Sequence, residues 1–309
     1  ASNRLDFTAE ASAIVANLET AIVGGIAISD ITDIDANSGN SNTLVAPNQA
    51  NDWLISGVNS GSINALNFSG FETLNGNQGV DSFVLQVAGS VSGAINGAGE
   101  NDFLTAANRD NTWAIESQNS GNVDGVASFS SIENLVGNNG ADDFVINAGG
   151  IDGDITGGTG RNSLHVDTVA SNAWLVTEIN EGQVNTVGGQ FEEIQVIIAG
   201  DNGDTFAVND LARVDEIRGG AGTDTLDVQG FSAPVLVSLE SQMMAGMQTA
   251  SIETILANAG NVNTLTAANQ TNTWILSSPD AGQINASFNF VGFANVTGGE
   301  QADTFTLAG

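Results

Sequence analysis

The residues with the most evident chemistry in this sequence are aspartates that recur directly behind glycine-rich turns. Three examples are "GNQGVDSFVL" (76–85), "GAGENDFLTA" (97–106) and "GGAGTDTLDV" (219–228). Carboxylates beside glycine-rich backbone are typical calcium ligands, because the ion takes about six to eight oxygens from carboxylates and carbonyl groups. The aspartates that we take as candidate metal ligands are Asp81, Asp102, Asp143, Asp204, Asp224 and Asp303.

The same aspartates have a second interpretation, as solvated corners that keep an acidic chain in solution. The chain has 36 acidic residues against 5 basic ones, all arginine, and a formal net charge of -31. Cations must accumulate on such a chain, either at sites or as a diffuse atmosphere. Asn162 and Asn263 replace aspartate at two further positions of the pattern, which weakens the ligand set. The charge excludes nucleic acid and anionic membranes as partners, since both require basic patches.

The spacing of these residues shows that the chain is built from repeats. The aspartate positions follow one another in steps of about 20 or about 40 residues, so one module has about 20 residues. A second phrase joins the modules into units of about 60 residues. It contains Trp53, Trp113, Trp174 and Trp274, each followed eight residues later by a glycine, Gly61, Gly121, Gly182 and Gly282, which we interpret as a corner.

A longer period of 221 residues duplicates part of the chain. Trp53 recurs as Trp274, and residues 1–87 as a whole correspond to residues 222–309. Solenoid proteins show nested periods of this kind, because each repeat stacks only on its neighbours. The predicted domain organisation is therefore one continuous segment, residues 1–309, of a longer array.

Alternation of apolar and polar residues predicts the secondary structure. Short runs such as "DSFVLQV" (81–87) and "DTFAVND" (204–210) alternate with period two, and Gly, Asn and Asp lie between them, which is typical of strands and turns. Short strands bury a core only when they stack, so the predicted fold is all-β: a parallel β-helix, or β-solenoid, with about 20 residues per coil, which we expect to be right-handed. Residues 15–27 and 237–250 break the pattern, and we expect a short helix or a widened coil there.

The four tryptophans have two interpretations. Each shares a strand face with an apolar residue two positions later, such as Ile55 after Trp53 and Ile115 after Trp113. This pattern favours packing in the core, and stacking on sugars is the alternative.

A polysaccharide-acting enzyme is the alternative class of function, since parallel β-helices also carry lyases and hydrolases. Such an activity needs carboxylates or bases clustered outside the repeat. The nearest approach to such a cluster is Arg213 and Arg218 with Asp215, Glu216 and Glu193, and surface ion pairs explain it equally well. Because the other acids recur with the scaffold, we predict a non-enzymatic protein.

Two phrases resemble known families. The glycine–aspartate phrase resembles the calcium-binding nonapeptide of RTX proteins, which implies Ca²⁺ as a ligand and an exported protein, although here the phrase does not repeat every nine residues. The tryptophan unit "NTWAIESQNSGNVDGVASFSSIENLVG" (111–137) resembles repeats of very large bacterial surface adhesins of the haemagglutinin-like type. That second resemblance covers most of the chain and implies adhesion and surface or matrix architecture.

The expected function is that of a structural stalk or filament segment of an exported bacterial adhesin, secreted or at the cell surface. Its expected partners are neighbouring repeats or like filaments, with surface glycans or a partner cell as further candidates. A matrix or sheath subunit that assembles laterally is the second structural alternative. The chain has no cysteine, and its longest apolar runs fall short of the ~20 residues that span a bilayer.

Overall fold

The protein is all-β in the computed structural model, which describes residues 3–308. These residues form 37 strands and no α-helix, so the predicted fold class is confirmed at this level. Contacts divide the chain into two compact units. Unit 1 comprises the described residues up to Asn162 together with Val187–Gly189, and unit 2 comprises Ser163–Thr186 and the described residues from Gln190 onward.

The strands are short, as the alternating runs predict. The strands that begin in unit 1 before residue 163 are β1 (Arg4–Phe7), β2 (Val15–Asn17), β3 (Ile22–Val23), β4 (Ile26–Ala27), β5 (Asp33–Ala36), β6 (Thr43–Val45), β7 (Asn51–Gly57), β8 (Ser60–Ile63), β9 (Leu66–Ser69), β10 (Thr73–Asn75), β11 (Asp81–Leu85), β12 (Val91–Asn96), β13 (Phe103–Thr105), β14 (Thr112–Ser117), β15 (Ser120–Val123), β16 (Val126–Ser130), β17 (Asn134–Val136), β18 (Asp143–Ile146) and β19 (Ile155–Thr156). The later strands are β20 (Ser163–Val166), β21 (Ala173–Glu178), β22 (Glu181–Val184), β23 (Val187–Glu192), β24 (Val196–Ala199), β25 (Thr205–Val208), β26 (Glu216–Arg218), β27 (Thr225–Val228), β28 (Leu236–Ser238), β29 (Met243–Met244), β30 (Met247–Ala250), β31 (Thr254–Ala257), β32 (Thr264–Thr266), β33 (Thr273–Ser278), β34 (Ala281–Ile284), β35 (Phe288–Val291), β36 (Asn295–Thr297) and β37 (Thr304–Leu307).

Strands of successive repeats pair in parallel within each unit, and their inward residues form columns. One column of unit 1 runs along β7, β11, β13, β17 and β19 and consists of Trp53, Phe83, Leu104, Leu135 and Ile155. The corresponding column of unit 2 runs along β21, β25, β27, β31 and β35 and consists of Trp174, Phe206, Leu226, Ile255 and Phe290. All of these side chains are at most 1% exposed. The period-two alternation therefore places one apolar face of each strand in the core.

Antiparallel hairpins are the feature that the sequence analysis did not predict. In unit 1, β8 pairs antiparallel with both β7 and β9, and Gly61 lies opposite Ile55 in the middle of the pair. The predicted corner at Gly61 is therefore wrong, because the chain turns two residues earlier, at Asn59, which has a φ of 51°. Gly61 is needed for close backbone approach, since a Cβ there would lie 1.9 Å from the carbonyl oxygen of Leu54.

The same hairpin follows each of the other tryptophans. Gly121, Gly182 and Gly282 lie within β15, β22 and β34, opposite residues of β14, β21 and β33. The turns again fall two residues earlier, at Asn119, Asn180 and Asp280, all with positive φ. Asparagine and aspartate tolerate this left-handed conformation better than other non-glycine residues.

The two segments that break the sequence pattern are also hairpins. Strands β2, β3 and β4 pair antiparallel in residues 15–27, and β28, β29 and β30 do so in residues 237–250. The expectation of a short helix is therefore wrong. Val23, Met244 and Met247 are buried, so each hairpin contributes apolar side chains to the core of its unit.

Hairpins also explain why the steps between parallel strands differ in length. Residues at equivalent positions, at the beginning of two paired parallel strands, are separated in sequence by one step. This step is 20 or 21 residues in some pairs and 29 to 31 residues in others. The longer steps contain a hairpin and the shorter ones do not.

The 221-residue period is reproduced in the strand pairing. In the first copy, β1 pairs with β5, β2 with β6, β6 with β10 and β7 with β11. In the second copy, β27 pairs with β31, β28 with β32, β32 with β36 and β33 with β37. Trp53 opposite Phe83 thus corresponds to Trp274 opposite Phe305.

The tryptophans pack in the core, which confirms the first of their two interpretations. Trp53 stacks on Phe83 with ring centroids 5.2 Å apart and meets the edge of Phe68 at 6.0 Å. The other three tryptophans each stack on one phenylalanine and meet the edge of another. None of the four exposes more than 1% of its surface, so their ring faces are not available to sugars.

Truncation of a core aromatic tests the inward assignment. Phe206 is fully buried and stacks on Trp174, so we expect Phe206→Ala to lower the free energy of unfolding by roughly 3 to 5 kcal/mol. Chemical denaturation measures the change. Thr205→Ala, on the exposed face of the same strand, is the control and should change stability by less than about 0.5 kcal/mol. Equal effects of the two substitutions would contradict the assignment.

Candidate functional site

A ladder of polar residues accompanies the parallel strands, with one residue at the beginning of each strand. Along β7, β11 and β13 these residues are Asn51, Asp81 and Asp102, and all three are buried. The Asn51 amide donates to Oδ1 of Asp81 over 2.7 Å. The backbone N–H of Asp81 donates to Oδ1 of Asp102 over 2.7 Å, and that of Asp102 to Oε2 of Glu133 over 2.9 Å. Each acidic side chain of the ladder thus accepts a bond from the preceding repeat.

The same arrangement recurs elsewhere in both units. In unit 1, the N–H of Asn111 donates to Oδ1 of Asp142 over 3.0 Å, and the N–H of Asp142 to Oδ1 of Asn162 over 2.9 Å. In unit 2, the N–H of Asp204 donates to Oδ1 of Asp224 over 2.7 Å, and that of Asp224 to Oε2 of Glu253 over 2.9 Å. We call the five buried aspartates, Asp81, Asp102, Asp142, Asp204 and Asp224, the ladder aspartates.

Four of the six predicted aspartates are buried at ladder positions. Of the other two, Asp143 lies one residue away from a ladder position, and Asp303 accepts the expected bond without being buried. In the run "ADDF" (141–144) it is Asp142, 1% exposed, that occupies the ladder, whereas Asp143 is half-buried in β18 opposite Thr112. The sequence signal was present, because the inward phenylalanine follows two residues after Asp142, as Phe83 follows Asp81. Asp303 accepts the N–H of Asn272 over 2.8 Å but is half-exposed.

Glutamates complete the ladder, and sequence reasoning missed them. Glu133 accepts the N–H of Asp102 at one carboxylate oxygen and the side-chain amide of Asn119 at the other. Glu72 does the same with Asn42 and Asn59. The signal was a glutamate inside the repeated apolar pair, as in "FETL" (71–74) and "IENL" (132–135). These glutamates fix both a strand and the corner of a hairpin.

Each ladder aspartate has one carboxylate oxygen without a partner. Oδ1 accepts the bonds described above, but Oδ2 is buried without any hydrogen-bond partner in Asp81, Asp102, Asp142, Asp204 and Asp224. Buried polar atoms are rarely unpaired, because desolvation then costs free energy that nothing offsets. A feature that recurs five times in one chain requires a chemical explanation.

The glycine of the repeated phrase makes room for this oxygen. A Cβ on Gly76 would lie 2.2 Å from Oδ2 of Asp81, and one on Gly97 would lie 2.2 Å from Oδ2 of Asp102. The same contact joins Gly137 to Asp142 and Gly219 to Asp224, each at 2.5 Å. The spacing of five residues between glycine and aspartate therefore reflects close packing of a carboxylate on backbone, and Ala199 stands in its place before Asp204.

Burial raises the pKa of every ladder aspartate. Loss of solvent raises the pKa of Asp81 to about 6, against the lowering effect of the bonds from Asn51. Burial raises the pKa of Asp102 to about 7, opposed by the N–H of Asp81 and reinforced by the charges of Asp81, Glu133 and Glu100. Burial likewise raises the pKa of Asp224 to about 6, and it raises the pKa values of Asp142 and Asp204.

The ladder aspartates do not fit a calcium ligand set. Calcium needs about six to eight oxygens around one point, whereas each aspartate directs Oδ1 to a backbone N–H and packs Oδ2 against glycine. As expected, paired strands place Asp81 beside Asp102 and Asp204 beside Asp224. In each pair, however, the backbone N–H of the first aspartate donates to Oδ1 of the second, so a hydrogen bond rather than a shared ion joins them. Calcium binding by this chain, at these aspartates or elsewhere, stays a prediction.

Within the arginine cluster, Arg218 and Glu216 form an ion pair at the surface. Nε of Arg218 donates to Oε1 of Glu216 over 2.7 Å, two residues away on β26, and both side chains are partly exposed. A groove in unit 2 brings Arg213 and Asp210 beside Leu211, Phe231 and Met243. Asp210 is the carboxylate that lines this groove.

Comparison of the chain with family models, with curated proteins and with solved structures returned no match. The resemblances to adhesin repeats and to the RTX phrase therefore remain predictions. In the described part of the chain, no helix is long and apolar enough to cross a membrane.

Substitution of a ladder glycine tests the packing of the carboxylate. We expect Gly97→Ala to lower the free energy of unfolding by about 3 kcal/mol, the upper end for overpacked sites, because the new Cβ would lie 2.0 Å from the Ser131 carbonyl oxygen. Thermal or chemical denaturation measures the loss. Gly230→Ala is the matched control, since its nearest neighbour is 3.9 Å away. If the Gly97→Ala protein were as stable as the Gly230→Ala protein, glycine would not be required at position 97.

Proposed function

We propose that the chain is a non-enzymatic structural module of an extracellular, adhesin-like repeat protein of bacteria, acting as part of a stalk or filament. The observation that carries the proposal is that the polar chemistry is distributed with the repeat. The buried acids bind backbone N–H groups in both units, and the aromatic side chains fill the core. Chemistry that is used to hold strands together fits a load-bearing protein better than a catalyst.

We propose further that each unit is a segment of a right-handed β-solenoid. Steps of 20 or 21 residues between ladder positions correspond to single coils of the size that the sequence predicts. Steps of 29 to 31 residues correspond to coils that carry an added hairpin. Stacking of each repeat on its neighbours resists extension, because many backbone hydrogen bonds join the parallel strands of successive repeats.

The acidic surface supports an extracellular location and neighbouring copies as partners. A net charge of -31 keeps copies apart at low ionic strength, and cations that collect on the exposed acids permit closer approach. We propose that calcium acts on these exposed carboxylates as a counterion. Lateral association of like filaments is the competing arrangement, and dependence of sedimentation on cation concentration would favour it.

Surface labelling and polysaccharide digestion together test the proposed function. Antibodies raised against the purified chain should label intact source cells without permeabilisation. The chain, incubated with acidic and neutral polysaccharides in the presence of calcium, should release no oligosaccharides. Label confined to permeabilised cells would contradict the location, and cleavage of any polysaccharide would favour the lyase or hydrolase class instead.

Cation dependence of the melting temperature separates counterions from metal sites. We expect millimolar calcium and magnesium to raise the Tm equally over EDTA, because both screen the acidic surface to the same extent. Circular dichroism follows the unfolding, with sodium chloride at matched ionic strength as the control. A gain that calcium gives and magnesium does not would show specific calcium sites.

A further inference from the structure

Asparagine at two ladder positions shows which bond the unpaired aspartate oxygen could make. In Asn42, Nδ2 donates to the carbonyl oxygens of Asn37 and Gly70, both over 2.7 Å. In Asn263, Nδ2 donates to those of Asn258 and Gly292, over 2.8 and 2.6 Å. Both amides reach a carbonyl of the next repeat, at a residue with left-handed φ. The second side-chain atom of the ladder residue is thus placed to act as a donor.

The aspartates place an oxygen where asparagine places this N–H donor. Ser131 and Ser251 have the left-handed φ of Gly70 and Gly292 and lie at the same place in the next repeat. The Ser131 carbonyl oxygen and Oδ2 of Asp102 border one point, 2.0 and 2.2 Å from a Cβ on Gly97. The Ser251 carbonyl oxygen and Oδ2 of Asp224 do the same at Gly219, at 1.9 and 2.5 Å. An ionised carboxylate would place its unpaired charged oxygen beside a carbonyl oxygen at both points.

We propose that the ladder aspartates hold a proton on Oδ2 in the folded protein, and that Asp102 and Asp224 donate it to the carbonyl oxygens of Ser131 and Ser251, so that each acts as an asparagine. The proton converts the unpaired oxygen into a donor without moving the strand, and Oδ1 continues to accept the N–H of the preceding repeat. The inference goes beyond the proposed function and does not depend on it, because it concerns the chemistry of the fold alone.

The charged groups around the ladder favour the neutral form. Asp102 faces Asp81, Glu133 and Glu100, and Asp142 faces Asp110. Asp224 faces Glu253 and Asp204. All of these neighbours are acids, so ionisation of a ladder aspartate adds like charges and desolvation together. Asp81 instead accepts a hydrogen bond from the side-chain amide of Asn51, and Asp204 accepts one from the backbone N–H of Asn172.

A proton suits the space between the two oxygens better than a metal ion. The oxygens nearest that point are one Oδ2 and one backbone carbonyl, as for Asp102 with Ser131. A calcium ion would need about four to six further ligands at this buried point. A proton needs only one donor oxygen and one acceptor.

Because of this proton, the fold should be more stable at acidic than at neutral pH. The pKa of each ladder aspartate is higher in the folded than in the unfolded chain, so the folded state binds more protons between the two values. The stabilisation is therefore complete below about pH 4 and is lost as pH rises through about 6 to 7. For Asp102 alone, the shift from 3.8 to about 7 corresponds to roughly a thousandfold change in the folding equilibrium.

Melting temperatures at pH 5 and pH 8 test the proposal. Every protein compared in this test carries His165→Gln, so that the one histidine of the sequence does not contribute to the pH dependence. This His165→Gln protein is called the background. We expect this background to melt at a higher temperature at pH 5 than at pH 8. The variant Asp81→Asn, Asp102→Asn and Asp224→Asn should melt higher than the background at both pH values and by a larger margin at pH 8, because the unfolded aspartates are already ionised at pH 5.

The matched control removes the same charge from the exposed surface. Asp52, Asp167 and Asp201 are exposed, and their replacement by Asn should leave the difference between pH 5 and pH 8 in place. If the ladder variant instead loses Tm equally at both pH values, or keeps the full pH dependence, the proposal is overturned. A Tm that calcium raises at pH 8 in the background but not in the ladder variant would assign the oxygens to a metal ion and overturn it too.

Two further measurements keep the proposal testable if the triple variant folds poorly. The carboxyl carbon signals of Asp102 and Asp224, followed by NMR in the unsubstituted ladder, should shift between pH 5 and pH 8, and signals of ionised carboxylates at pH 5 would refute it. Asn263→Asp is the reverse substitution and should add pH dependence, because its Oδ2 would face the Gly292 carbonyl. An Asn263→Asp protein as stable at pH 8 as at pH 5, relative to its parent, would contradict the proposal.

Discussion

The bond between a backbone N–H and a side-chain oxygen of the next repeat is the constraint on which the rest of the structure depends. At the beginning of each inward strand the chain leaves a turn, so the first N–H has no strand carbonyl to bond, and a buried N–H must have an acceptor. The ladder residue supplies it, as Asp102 does for Asp81. Because the side chain reaches only one strand spacing, the bond also fixes register. A slip by one residue would remove the acceptor and expose the apolar face at once.

Much of the core was predictable from the sequence, because it depends on local alternation. Trp53, Leu104 and Leu226 are buried as the period-two pattern indicates. The adjacency of Asp81 and Asp102 followed from their spacing, since one short step separates paired strands. These features need only the rule that alternate residues share a face.

The hairpins and the oxygen contacts were not predictable in the same way. Gly61 looks like a corner in the sequence, but the turn depends on the left-handed conformation of Asn59, which asparagine adopts only when its surroundings favour it. The pair Asp142 and Asp143 offered two candidates for one position, and the spacing to the inward phenylalanine, which strand register confirms, selects Asp142. The repeated apolar pair marks the position of Glu133, but its role depends on two hydrogen bonds from residues 14 and 31 positions away in sequence, which the local pattern does not show.

The duplication seen in the strand pairing has a consequence for how such chains change length. Strand β33 meets β37 in the register that joins β7 to β11, with tryptophan opposite phenylalanine in both pairs, so the environment of a strand is defined by its immediate neighbours. Gain or loss of a whole period by recombination between the matching stretches of its gene would leave every remaining contact intact. Related genes that differ by multiples of one period would therefore encode chains that fold equally well, and length becomes a heritable trait that selection can adjust without redesigning the core.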